Sequence, residues 1–405
     1  MEWQKLIEKL IQIIIALLVS VGLMTGPSET PSLIEQTTPL KPESTATLAE
    51  PITPTLNTFL TPTAIPPTIT PTKIPHYLRP DPGSVCSYDP QTEALMAGLD
   101  QAGWVHWIEL LSGKNPVKLN GETYTILTRY SESMFSGNPR ARAYEFVLEQ
   151  VRQWGYQDGV DLFEQEYQPF ANEPETIWKN IILLIPGKDP EIGHEQILLT
   201  AHLDSISQGR PEAIAPGADD NGSGVATLLE AAQLFQNLNF RRTIKIVFFT
   251  GEEQGLLGSQ SYVNHYQHEM ENILGVFNLD MFGYDSDNDR CFEIHVGRLP
   301  ESNLTGGCLA DIIEGHKMEL KFEYINEDAI GASDHANFWQ EGVGAIEVGQ
   351  NFLTNDLPNG CGQRDFNPYY HSENDRIENM NLDMGHAIAR AAIGAVARMA
   401  ELSKD

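Results

Sequence analysis

Ile197-Leu198-Leu199-Thr200-Ala201-His202-Leu203-Asp204 is the stretch whose reading decides the fold. Its apolar run is too short for a buried helix, carries no alternation, and stops abruptly at a histidine and an aspartate. Such a run fits a strand buried on both faces, as in a parallel sheet covered by helices. Reading outward, Ile244–Thr250 repeats the pattern and is followed by Gly251-Glu252-Glu253, while Val276–Leu279 is followed by Asp280. Ile181–Ile185 is a further run of this kind. Helical spacing separates several of them. Val225, Leu228, Leu229, Ala232 and Phe235 follow Gly222-Ser223-Gly224, and a last helix from about Asn381 uses Ile388, Ala392, Val396 and Met399. Upstream, Gln91–Leu111 and Arg140–Trp154 read as helices, the second with Ala143, Phe146, Val147 and Val151 on one face. Alternation of buried strands with helices predicts an α/β fold: a single globular domain with a mostly parallel central sheet and helices on both faces. No internal repeat is present.

In open α/β sheets ligands gather beyond the carboxyl ends of the strands. Here those ends carry His202 and Asp204, Glu252 and Glu253, and Asp280; Asp219-Asp220-Asn221 precedes the helix at Gly222, and His371 follows Tyr369-Tyr370. Singly, each is explained as an N-cap, a turn former or a structural histidine. Together, two imidazoles and three carboxylates from separate loops suit Zn²⁺, and one shared carboxylate would let five residues hold two ions. Three carboxylates against two divalent cations leave a net positive site that can acidify water. Asp204, two residues beyond His202 on extended backbone, is placed to orient the far imidazole nitrogen. Adjacent Glu252 and Glu253 point apart, so one can bind metal while the other serves as a general base.

These residues resemble the zinc-dependent dinuclear exopeptidases typified by secreted bacterial leucine aminopeptidases. The resemblance runs from about Arg140 to the C-terminus. It is carried by Ala201-His202-Leu203-Asp204-Ser205, Gly217-Ala218-Asp219-Asp220-Asn221-Gly222-Ser223-Gly224, Thr250-Gly251-Glu252-Glu253, Asn278-Leu279-Asp280 and Tyr370-His371. It implies that His202 and Asp280 bind one zinc ion, Glu253 and His371 the other, and that Asp220 bridges both. Glu252 would be the general base acting on a water bridging two Zn²⁺ ions, and Tyr370 a donor to the developing oxyanion. It also implies a cis peptide bond after Asp220 and a site-lining role for Ser333-Asp334-His335 and Phe338. The expected activity is removal of N-terminal residues from peptides with a free N-terminus. Carboxypeptidase or deacylase chemistry and a glutaminyl-cyclase-like acyl transfer are the alternatives on the same fold, with a non-catalytic binding module behind them. The protease-associated insertion of some relatives is absent, because only 14 residues separate Gly187 from His202. Residues 82–139 match the family poorly.

The rest of the chain sets the compartment. Of 405 residues, 26 are basic and 56 acidic, a net charge of −30 that opposes nucleic-acid binding. Residues 10–28 are uncharged, and Lys5 and Lys9 precede them, so residues 1–28 are expected to form a signal peptide or a single membrane anchor with the remainder outside the cytoplasm. Residues 26–80 contain 12 Pro and 13 Thr, so 29–80 is expected to be a disordered linker, leaving 81–405 as the dinuclear zinc peptidase domain. Contact with the membrane is expected through the N-terminal segment alone. In an exported domain Cys86, Cys291, Cys308 and Cys361 can form two disulfides in any of three pairings. HExxH, GxSxG and GxxxxGK[ST] signatures are missing.

Overall fold

A computed structural model describes residues 79–353, 361 and 364–403. The membrane segment expected over residues 1–28 and the linker expected over 29–80, except its last two residues, lie outside the described residues; Arg79 is held by Glu314 at 2.8 and 2.7 Å. Among the described residues, no helix is long and apolar enough to cross a membrane.

The domain is built on one eight-stranded sheet. In chain order the strands are β3 (Leu162–Tyr167), β4 (Trp178–Ile185), β5 (Gln196–His202), β6 (Thr243–Phe249), β7 (Ile273–Leu279), β8 (Cys291–His295), β9 (Lys321–Ile325) and β10 (Ala345–Gln350), while β1 (Val117–Leu119) and β2 (Glu122–Tyr124) form a separate hairpin. The spatial order is β3-β4-β6-β5-β7-β10-β8-β9. The central β6, β5, β7 and β10 are mutually parallel, as the buried apolar runs predict. The sheet becomes mixed toward its sides, where β3–β4, β4–β6 and β8–β10 pair antiparallel. Every residue of β5 is buried. Ile197, Leu199 and Ala201 face one apolar layer and Leu198 the other, so each branched side chain withdrawn from water contributes roughly 1.5–3 kcal/mol on its own face.

Helices α1 (Pro90–Ala97), α2 (Gln101–Leu111), α4 (Ala143–Trp154), α5 (Gly222–Phe235), α7 (Ser302–Gly315) and α9 (Leu382–Met399) supply the larger layer; α6 (Leu257–His265) and α8 (His335–Gln340) supply residues of the smaller one. A short α3 (Ser131–Phe135) lies before α4. The single helix expected over Gln91–Leu111 is two. Gly98 ends α1, and the Asp100 side chain accepts from Ala102 N at 3.3 Å to start α2, because a new cap satisfies amides that a continued helix would have bonded internally. The segment that matched the expected family poorly is part of the core. Trp104 on α2 is fully buried, donates to Thr227 Oγ1 at 3.1 Å, and lies where a Cβ on Gly385 would come within 2.6 Å of its ring. The cysteines take one of the three pairings, Cys86 with Cys308 and Cys291 with Cys361.

Candidate dinuclear metal centre

Sheet order explains why residues distant in sequence meet. Because β5 lies between β6 and β7 and is parallel to both, the three exits open side by side at one edge. His202 ends β5, Glu252 and Glu253 follow β6, and Asp280 follows β7. Asp220 arrives from the turn that starts α5. Asn221 caps that helix by accepting from Gly224 N at 3.0 Å, and its amide donates to Leu279 O at 2.7 Å, which ties the turn to the end of β7. A Cβ at Gly224 would stand 2.3 Å from Asn221 Oδ1 and 2.8 Å from Leu279 O, so the glycine permits this close approach. The Asp220–Asn221 peptide bond is cis, as the resemblance implies.

The donor atoms converge. His202 Nε2 lies 3.1 Å from Asp280 Oδ1, 3.4 Å from Asp220 Oδ1 and 4.0 Å from Glu252 Oε2. His371 Nε2 lies 2.8 Å from Glu253 Oε2 and 3.3 Å from Asp220 Oδ2. One oxygen of Asp220 thus faces each imidazole. Glu253 Oε1 is buried without a hydrogen-bond partner among the described residues. In two groups, His202 with Asp220 and Glu253, and His202 with Glu252 and Asp280, one donor atom per residue lies within 4.8 Å of the others. Nitrogen and carboxylate donors at this spacing, with an orphaned carboxylate oxygen among them, fit Zn²⁺.

Protein charges alone leave these groups perturbed. Burial and then the Asp220 charge push the Glu253 carboxyl up to about 7. Burial likewise raises Glu252 well above the carboxylate range, reinforced by Glu253 and Asp280. Burial opposes protonation of His371, but Asp220 and Glu253 overcome it and raise the imidazole to about 10. Acids driven toward neutrality beside an imidazole driven toward its cation mark a place built for positive charge.

The surrounding residues hold the donors in place. Asp204 is fully buried, and its carboxylate accepts from Glu252 N at 3.3 Å and Glu253 N at 3.2 Å. Its main-chain oxygen, at 3.1 Å, is the near partner of His202 Nδ1, with the carboxylate 3.8 Å away. The position two residues after His202 therefore serves both the imidazole and the glutamate turn, the first through backbone and the second through side chain. Tyr370 stacks on the His371 ring, centroids 3.6 Å apart, and faces the cavity. Ser333, Asp334, His335 and Phe338 are buried, and the wall of the cavity beside them is formed by Ile330 and Ala332.

Three supporting residues carry no sequence motif. Asp375 accepts from Asp219 N at 3.1 Å and Asp220 N at 3.0 Å. Ser131 Oγ accepts from Gly251 N at 2.9 Å. Arg129, fully buried, donates from Nε to Leu203 O at 2.8 Å, and from its terminal nitrogens to Pro216 O at 2.6 Å, Gly217 O at 2.8 Å and Leu111 O at 3.2 Å. Their neighbours, Thr128, Glu132 and Ser133 around the first two and Glu373, Asn374 and Arg376 around Asp375, are polar as well, so no local signal marks them. A cavity of about 280 Å³ opens over the centre, and Met281, Ile330, Phe352, Leu353 and Phe366 give it an apolar side, with Glu347 and Arg364 among the remaining walls.

Comparison with known proteins finds relatives in both sequence and fold. A probable leucine aminopeptidase of Arthroderma otae is 28% identical over 294 residues, 68% of this chain and 70% of that protein. The crystal structure of the Legionella pneumophila LapA aminopeptidase superposes with a TM-score of 0.58 at 20% identity, over 78% of this chain and 76% of that one. A glutaminyl cyclase of Macrostomum lignano has the same fold, with a TM-score of 0.57 at 17% identity over 81% of this chain and 99% of that one. The profile of Peptidase family M28 matches residues 180–396, more than half of the chain and the span from β4 into α9, so this chain belongs to Peptidase family M28.

Proposed function

We propose that the chain is a dinuclear zinc aminopeptidase acting outside the cytoplasm. The observation that carries this reading is the Asp220 carboxylate, with Oδ1 at 3.4 Å from His202 Nε2 and Oδ2 at 3.3 Å from His371 Nε2, the disposition of a ligand shared between two ions. His202 and Asp280 would hold one zinc ion and Glu253 and His371 the other. When bound, the pair supplies Lewis-acid polarisation of a peptide carbonyl and lowers the pKa of water. Glu252 lines the cavity beside the donors, its Oε2 4.0 Å from His202 Nε2, without itself being required as one, and its carboxylate would accept the proton of the attacking water and deliver it to the leaving amine. Tyr370, held against His371, is placed to donate to the oxyanion. The apolar side of the cavity selects a large apolar first residue, and the cluster of carboxylates favours a free amine over a blocked one. Two disulfides support an oxidising compartment, consistent with residues 1–28 as the membrane segment, 29–80 as the linker and 81–405 as the peptidase domain.

The test separates binding from chemistry and one reaction from another. Glu252→Gln should keep about two zinc equivalents while losing at least ~10²-fold in kcat with little change in KM, the scale of general-base removal. Loss of zinc would show that Glu252 is a ligand. Mass spectrometry on a free peptide, its acetylated form and an N-terminal Gln peptide then fixes the reaction. Stepwise N-terminal trimming of the free peptide supports the proposal. Shortening of the acetylated peptide from its other end, or ammonia release without backbone cleavage, would assign carboxypeptidase or cyclase chemistry instead.

A further inference from the structure

The loop after β7 runs Asp285-Ser286-Asp287-Asn288-Asp289-Arg290, and Asp365 approaches it from a distant part of the chain. One carboxylate oxygen from each of Asp285, Asp287, Asp289 and Asp365 lies within 4.8 Å of the other three. Local donors occupy one oxygen of each. Arg290 N at 3.2 Å and Asn381 Nδ2 at 2.7 Å donate to Asp285 Oδ2. Asp289 N donates to Asp287 Oδ1 at 3.1 Å, and Cys291 N donates to Asp289 Oδ1 at 2.9 Å. Ser286 donates to Asp365 Oδ1 through its backbone N–H at 3.1 Å and through its hydroxyl.

The opposite oxygens are different. Asp285 Oδ1, Asp289 Oδ2 and Asp365 Oδ2 are buried and have no hydrogen-bond donor among the described residues, and Asp365 is only 1% exposed and Asp285 9%. A buried carboxylate oxygen without a donor is unfavourable by several kcal/mol, so in native structures it marks a missing partner. Lys321 Nζ is 3.5 Å from Asp289 Oδ2, and its side chain is 59% exposed. A solvated ammonium beside Asp289 leaves the buried Oδ1 of Asp285 and Oδ2 of Asp365 without a donor among the described residues. Burial, and then the charges of Asp287 and Asp285, raise the Asp365 carboxyl above its ordinary range.

We propose that Asp285, Asp287, Asp289 and Asp365 form a calcium site separate from the catalytic centre. The donors are all oxygen, which disfavours zinc and other softer metals. Ca²⁺ accepts six to eight oxygens in flexible geometry, whereas Mg²⁺ demands near-ideal octahedral placement and retains its waters. The location gives the ion a consequence. Asp365 lies between Arg364 and Phe366, both of which line the catalytic cavity, and the loop leads back within five residues to the zinc donor Asp280. The ion therefore pins one wall of the substrate cavity to the loop that carries a catalytic ligand, and its occupancy should lower KM more than it changes kcat.

The experiment titrates CaCl₂ into zinc-loaded, calcium-free full-length protein, followed by calorimetry and thermal unfolding. One equivalent should bind with a Kd on the order of 10⁻⁵–10⁻³ M, and Tm should rise by about 2–5 °C at fifty times that concentration. Asp287→Asn alters an exposed position, so it should fold, keep its zinc and retain the calcium-free activity of the parent, while its Kd for Ca²⁺ weakens at least ~10-fold. Absence of saturable binding and of a Tm shift in the parent up to about 10 mM would overturn the site. So would an unchanged Kd in Asp287→Asn, or an equal affinity for Mg²⁺. Binding heat and Tm are read without substrate, so the outcome is independent of the peptidase assignment.

Discussion

Replacing Arg129 tests whether a residue outside the family profile organises the active site. The guanidinium makes four charge-assisted hydrogen bonds, to the carbonyls of Leu203, Pro216, Gly217 and Leu111. Arg129→Met removes all four, but Gly217 O still accepts from Gly222 N at 2.9 Å, so the carbonyls of Leu203, Pro216 and Leu111 are left unpaired, each at ~1–3 kcal/mol, a loss on the order of 3–9 kcal/mol. Against this stands relief from burying a charge. Burial lowers the Arg129 pKa from 12.5 to about 10. At 1.36 kcal/mol per unit this corresponds to roughly 3 kcal/mol returned by an apolar substitute. The hydrogen bonds win, and a net destabilisation of ~2–4 kcal/mol is expected after partial relaxation, a large fraction of the stability of an ordinary domain. In a domain of this size the shift in Tm is about 5–10 °C.

Activity should fall further than stability accounts for. Leu203 joins His202 to Asp204, and Gly217 precedes Asp219 and Asp220 in the same turn, so loss of the guanidinium frees both donor segments at once. Displacement of a catalytic group by about 1 Å can reduce rate ~10²-fold, and kcat/KM measured well below the variant's Tm should drop by about that factor. Calorimetry with zinc-replete enzyme gives the first number and steady-state kinetics the second. An Arg129→Met protein within about 1 kcal/mol of the parent and with unchanged kcat/KM would refute the reasoning.

Asp204→Asn keeps the shape but replaces one of the oxygens that accept from Glu252 N and Glu253 N with an amide donor; kcat should fall by at least ~10-fold with smaller loss of zinc, as metal analysis beside kinetics would show. Chelation should abolish activity reversibly and lower Tm, because apo protein retains a cluster of buried carboxylates without cations; unaltered Tm after verified zinc removal would show that the protein compensates this charge by itself.

Strand runs and their polar exits were legible because a strand buried on both faces must be apolar throughout, and the first polar residue beyond it lies at the sheet edge. Ile197 to His202 is read this way without ambiguity, and the distances around His202 and Asp220 follow from the order β6-β5-β7. Strands β8, β9 and β10 escaped notice because each carries buried polar side chains, Glu293 and His295, Glu323, and Glu347 and Gln350, that break the apolar pattern. The break at Gly98-Leu99-Asp100 was also hidden, since a helical face continues across it and only the Asp100 cap marks a restart. Arg129, Ser131 and Asp375 act through long-range contacts whose partners lie up to 156 residues away. No local periodicity encodes such a contact.

The arrangement of acids explains why so much of the chain is committed to one site. Asp204, Asp219, Asp220, Asp280, Asp334 and Asp375 are all buried around the two histidines, with Glu252 and Glu253 close to full burial. Isolated buried carboxylates are strongly unfavourable, so each must find donors or cations. The fold divides the task. Asp204, Asp219 and Asp375 are satisfied by backbone N–H groups of Glu252, Glu253, Gly283 and Asp220, and thereby fix the turns. Asp220, Glu253 and Asp280 instead direct their oxygens toward the imidazoles, where donors from the protein do not suffice. Carboxylates of the first kind make the geometry rigid. Those of the second kind leave negative charge that the protein's own donors do not compensate, and Arg129, which donates only to carbonyls, adds a buried positive charge that moderates the field without occupying a ligand position.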